Sequence, residues 1–381
     1  MEGDTDMIKV LSYWMQGEIN NFIIVWLLVL LSLSYCYFSG KILSKGTPRL
    51  VAFLPVVFIF LLLPLKLHSM IFVGFTSFFI AWLANFKLLM FAFNKGPLSD
   101  PSELSLLAFL AIACLPIKLQ NSQTEKAHKS LFNYAVKGLL WALLLKINYD
   151  YTDYIHPTII LGMYCVYIYF SLEIGLAITG AMAQALLRTE LEPQFNQPYL
   201  STSLHDFWGR RWNLMVSRIL RPSIYVPVRS WSVNIVGKKW AALPAIMSTF
   251  VVSALIHELI YYYLGRVKPT WEITCFFLLH GAFLTAEIGV KKSTKGRRIH
   301  IPRIIATIST IGFTIITAFW LFFPQLLRCK AFERASAEYV AVSAFVKDVL
   351  RAYSKQIKQT ALYEFPWELF VLKQIIGWMI A

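Results

Sequence analysis

A histidine and a glutamate stand side by side in VVSALIHELIYYYLG (251–265), in the middle of a stretch otherwise suited to lipid. Placing an ionisable side chain at bilayer depth is costly, so such a residue faces a protein interior or cavity and marks a functional group by default. Histidine is the least expensive to place there, because its neutral form needs no counter-charge near pH 7. His257 is therefore the first candidate for a general base working inside a membrane. On a helix Ser253 and Tyr261 share its face at i−4 and i+4, whereas Glu258 points about 100° away and is expected to pair with a polar group on another element. His280, in FFLLHGAFLTAEIG (276–289), is the second candidate base, with Glu287 on the same face two turns later. His257, Glu258, His280 and Glu287 together also permit a second class of function, a proton or ion path through a transporter.

A second chemical region lies in the long polar connection 188–239, whose centre reads HDFWGRRWN (205–213). Loops of that size between membrane helices are uncommon unless they are functional or carry structure of their own. Interleaved tryptophans and arginines suit the head-group layer. They also suit a cavity mouth at which guanidinium forks grip phosphates.

The elements that must position these groups are apolar runs approaching the roughly 20 residues of a bilayer crossing. Nine stand out: 19–38, 50–65, 71–93, 104–119, 131–147, 155–176, 240–264, 271–290 and 304–323. The second is short and holds Pro55 and Pro64, and the fifth is short and holds Lys137 and Lys146, so either is a candidate for a broken or re-entrant segment. Loop charge restricts the count, because cytosolic loops collect Lys and Arg. The connections 188–239 and 291–303 are both strongly basic, which puts both in the cytosol. The acidic amino terminus and the basic loop 41–49 start the first helix on the far side. Nine crossings conflict with that arrangement and eight satisfy it.

Composition narrows the class further. Hydrophobic residues make up 57% of the 381, and charged ones 15% against about 25% in an ordinary soluble domain. The excess of 36 Lys and Arg over 21 Asp and Glu collects in loops and fits anionic head groups, so no nucleic-acid partner is expected. The five scattered cysteines make neither a disulfide framework nor a metal site. No cleavable signal peptide is expected, because no small-residue cleavage pattern follows the first run. From Phe332 apolar residues recur at helical spacing among charges, giving an amphipathic tail at the interface or against the bundle; the run 369–381 is too short to span.

FWGRRWN (207–213), YVPVRSW (225–231) and the histidine of SALIHE (253–258) together resemble the membrane-bound O-acyltransferase superfamily. Within it the chain is most similar to the plant wax synthase group of long-chain-alcohol fatty acyltransferases, which is similar in turn to plant sterol acyltransferases and diacylglycerol acetyltransferases. The resemblance covers about residues 205–292. It implies an all-α bundle of about eight to nine spanning helices enclosing a reaction chamber, formed by a single domain over 1–330 with a cytosolic interfacial loop at 188–239 and a tail at 331–381. It also implies an endoplasmic reticulum membrane protein that esterifies a fatty alcohol, a sterol or diacylglycerol, with acyl-CoA as cosubstrate and no permanently bound cofactor. His257 corresponds to the family's catalytic histidine. Asn213 matches the asparagine closing the FYxDWWN-like motif of related enzymes and would orient the acceptor or the base. Arg210 stands where that motif has its aspartate, so no acidic role carries over. Trp208, Arg210, Arg211, Trp212, His280 and Glu287 are the expected contacts to substrate and acyl-CoA.

Overall fold

In hydrocarbon every backbone N–H and C=O must find its partner within the segment, which leaves the helix as the natural state of these runs. A computed structural model describes residues 2–99, 104–115, 131–151, 154–187, 194–293 and 301–360, and among these there is no strand. Arg188, the basic residues of 294–300 and the run 369–381 lie outside the described residues. Seven helical segments among the described residues are long and apolar enough to span: Gln16–Ile42, Thr47–Lys66, Met70–Ala92, Pro157–Ala185, Ala242–Gly265, Glu272–Ser293 and Arg303–Arg328. This is an integral membrane protein.

Met70–Ala92 is the central segment, with 67% of its spanning window buried inside the protein. That burial explains how one helix tolerates Thr76, Ser77, Asn85 and Lys87, all buried: protein rather than lipid surrounds them. Lys87 reaches the carbonyls of Ile112 (2.6 Å) and Leu115 (2.7 Å), at the end of the helix Leu106–Cys114. Donors on the orphan carbonyls of a helix C-terminus satisfy groups that have no partner within the helix. Of the run 104–119 the described residues end at 115, and their nine-residue helix extends about 14 Å.

Contacts at the helix ends sort the chain into two faces. At one, Gly46 donates to the Ala92 carbonyl and Lys292 to that of Lys239. At the other, Glu18 accepts from the backbone of His68 and Ser69. Arg266 binds the carbonyls of Pro64 and Leu67, and Arg334 those of Leu264 and His68. The chain thus leaves Met70–Ala92 and enters Ala242–Gly265 at the same face, so it crosses an even number of times in between. Pro157–Ala185 is one such crossing. Among the described residues the 21-residue helix Leu131–Tyr151 is the one placed to be the other, its Lys137 held 2.7–2.8 Å from both oxygens of Glu173. Counted over the described residues, this arrangement accommodates eight crossings and brings Gly46, Lys239 and Lys292 of the basic connections to one face.

The tail helix Ala331–Thr360 packs against the opposite face. Phe332 stacks on Tyr164, and the buried Glu338 carboxylate accepts from Ser69 Oγ and the Met70 and Ile71 amides. A carboxylate at those amides caps the start of the central segment.

Candidate active site

His257 lies midway along Ala242–Gly265 and turns inward. Its ring packs against aromatic rings from three other segments or helices: Trp82 at 5.4 Å edge-on, Phe277 at 4.4 Å and Phe322 at 6.4 Å between centroids. The imidazole is half-buried among them. Its Nδ1 lies 2.7 Å from the Ser253 carbonyl, one turn earlier. A carbonyl can only accept, so Nδ1 carries the hydrogen and the lone pair belongs to Nε2. Among the described residues no group bonds to that Nε2. Such a tautomer, fixed by the protein and open at its basic nitrogen, is the state required of a general base.

His280 is wholly buried in Glu272–Ser293 and differs in its bonding. Its Nδ1 accepts the indole N–H of Trp208 at 3.1 Å. Its Nε2 donates to Thr317 Oγ1 at 2.8 Å, whose own hydrogen is directed at the Phe313 carbonyl. Both ring nitrogens are occupied. His280 therefore clamps the loop tryptophan and the last spanning segment to its own helix. Trp208 in turn packs 6.0 Å from Phe277, so an aromatic path runs from the loop to His257. Trp82, Trp208 and Phe322 each sit in a π-helical turn. Such wide turns rotate side chains off the regular helical register and are frequent at functional sites.

The sequence pattern of the membrane bound O-acyl transferase family matches residues 191–279, which hold the Trp208 loop and His257. An acyl-CoA–sterol O-acyltransferase of Arabidopsis thaliana is 45% identical over 339 residues, covering 87% of this chain and 97% of the relative. Two probable long-chain-alcohol O-fatty-acyltransferases of the same plant are 42% and 41% identical over 341 and 335 residues, again covering 87% of this chain and 98% and 97% of their own lengths. This chain belongs to the membrane-bound O-acyltransferase family. Its place there is the wax synthase group.

The other residues of this O-acyltransferase singled out by sequence fall into distinct positions. Asn213 is buried, in left-handed backbone with φ 38°, and its Oδ1 has no hydrogen-bond partner among the described residues. No hydrogen bond joins it to His257. Arg211 is committed to its own loop, 2.8 Å from Asp206 and bonded to the carbonyls of Asn196 and Gln197. Arg210 beside it is exposed. Trp212 stacks on Phe207 and contacts Phe195 inside the same loop. Glu287 holds Lys291 and the His205 amide at the basic face, remote from His257 in bonding. Glu258, as its direction on the helix predicts, pairs elsewhere: one oxygen accepts from the amide and hydroxyl of Thr274 in the next helix. No hydrogen bond among the described residues joins any two of His257, Glu258, His280 and Glu287. Sequence reasoning missed Trp82, Phe322 and Thr317. The available signal was a tryptophan in the same run as Asn85 and Lys87, marking a spanning segment with a protein-facing side.

Proposed function

We propose that this protein transfers a long acyl chain from acyl-CoA to the hydroxyl of a hydrophobic alcohol, with His257 as the general base. The observation that carries the assignment is the free Nε2 of an imidazole whose other nitrogen is fixed on the Ser253 carbonyl. In the reaction the hydroxyl proton passes to Nε2 while the alcohol oxygen bonds to the thioester carbon. The tetrahedral intermediate then collapses, the C–S bond breaks, and the CoA sulfur takes the proton from the imidazolium. General-base assistance is worth about 10² to 10⁴ in rate. Aromatic walls around His257 keep out water, the competing acceptor.

The CoA phosphates belong at the basic face, where Arg210, Arg221 and Arg229 are exposed. A long-chain fatty alcohol, giving a wax ester, is the leading acceptor, in line with the many long-chain-alcohol O-fatty-acyltransferases among the relatives. A sterol is the second reading, favoured by the 45% identical sterol acyltransferase, and diacylglycerol the third. The endoplasmic reticulum is the proposed membrane.

The test is reconstitution of the protein in liposomes with labelled acyl-CoA and each alcohol class separately, products being resolved by mass spectrometry. Ester is expected with fatty alcohol and not with His257→Ala. Ester formation by His257→Ala at the wild-type rate would remove the base. Absence of ester with all acceptors would remove the activity.

A further inference from the structure

Two buried hydrogen-bond donors beside His257 have no partner. The indole N–H of Trp82 is one: its residue is 2% exposed and its ring lies edge-on to the imidazole. The hydroxyl of Tyr261 is the other: the residue is 5% exposed, and its ring packs 5.5 Å from Phe322, which also borders His257. Tyr261 follows His257 by one turn on the same face. Long side chains on a helix lean back over the preceding turn, and the Tyr261 and His257 rings both border Phe322. A buried polar group left unbonded costs about 1–3 kcal/mol, and proteins leave few of them. Two donors of this kind around a single free base point to an acceptor atom supplied by the substrate.

We propose that Trp82 Nε1–H and Tyr261 O–H form the oxyanion site for the acyl group. This rests on the reading of His257 as base for thioester-to-alcohol transfer. When the alcohol oxygen bonds to the carbonyl carbon and its proton moves to Nε2, the carbonyl π pair moves onto the carbonyl oxygen. That oxygen then accepts hydrogen bonds from the indole and the phenol. When the pair returns and the C–S bond breaks, both bonds weaken. The three groups divide the work: His257 handles the proton, and Trp82 and Tyr261 handle the charge. Donors fixed in advance in a water-poor site contribute most where charge develops, and removing one such donor lowers kcat on the order of 100-fold.

Tyr261→Phe and Trp82→Phe remove the donors while keeping aromatic rings in place. The expected result is a fall in kcat of about 100-fold in each, at unchanged KM for acyl-CoA, measured per folded molecule in liposomes. Tyr261→Phe should also melt at or above the wild-type temperature, because it deletes a buried group without a partner. Tyr263→Phe is the control. Its hydroxyl is bonded 2.6 Å from the Leu61 carbonyl, so that variant should lose thermal stability and keep its kcat. Wild-type kcat in either donor variant overturns the pair. His257→Ala is measured in parallel: an active His257→Ala defeats the base assignment, whereas an inactive one beside an active Tyr261→Phe defeats the oxyanion site alone.

Discussion

His257 and His280 are two imidazoles on adjacent antiparallel helices, both packed against aromatic rings; His280 is the more deeply buried, and they differ in how their ring nitrogens are bonded. His257 spends one ring nitrogen on the protein and keeps the other. His280 spends both, on Trp208 and Thr317. Depth in the membrane and neighbouring rings therefore do not separate a working histidine from a fastening one. The number of ring nitrogens committed to protein does, because a base needs an unshared pair and a clamp needs none.

Glutamine is the substitution that tests this difference most directly, since its amide donates and accepts like a neutral imidazole but cannot take up a proton near neutral pH. His257→Gln is expected to accumulate normally and to lose at least 10² to 10⁴ in ester formation, the range of general-base assistance. His280→Gln can still accept from Trp208 and donate to Thr317, and is expected to retain most of its activity. Ester synthesis assays normalised to membrane-inserted protein decide the matter. Equal loss at both positions would erase the distinction; an active His257→Gln would reverse it.

Part of this contrast is legible in the sequence. The motif around 207–213 and the apolar helix bearing His257 announced the family, and the seven spanning segments follow the apolar runs. Loop charge also led to eight crossings, which the contacts at the helix ends support. Tertiary partners were not legible. Nothing in the spacing of His280 says that Trp208 and Thr317 will occupy its ring, because those residues approach from remote parts of the chain. Arg210 and Arg211 look alike in sequence, and only Asp206 and two carbonyls tell them apart. The helix Leu106–Cys114 is capped at its end by Lys87, which belongs to another segment.

Charges inside the bundle also depend on their partners, and the effects of removing one should be somewhat smaller than the loss at His257. Lys137 is satisfied by Glu173, itself 2% exposed on its side chain. Lys137→Met leaves that carboxylate buried without its cation, a change costing about 3–5 kcal/mol. The variant should accumulate poorly and lose activity in proportion to its folded amount, unlike His257→Gln. Lys137→Met combined with Glu173→Met should restore accumulation, since a buried pair replaced by apolar residues is often neutral or better. Quantifying inserted protein by fluorescence-detected size exclusion separates the outcomes. A harmless single variant would mean that Leu131–Tyr151 lies in water, and the eighth crossing would fall with it.

The smallest effect is expected at the loop arginines, and it carries the same logic to the surface. Arg211 is enclosed by its own loop, so Arg211→Ala should loosen the segment that delivers Trp208 to His280, lowering thermal stability and turnover together. Arg210 is exposed, and its charge is available to an anion at the basic face. Exposed ion pairs contribute about 0.2–1 kcal/mol, so Arg210→Ala should raise KM for acyl-CoA by no more than about fivefold and leave kcat and stability unchanged. Added salt should diminish even that difference, because screening weakens contacts between exposed charges. If Arg210→Ala instead lowers kcat at constant KM, position 210 acts on the reacting atoms. Partner counting would then fail at the surface while still holding for the two histidines.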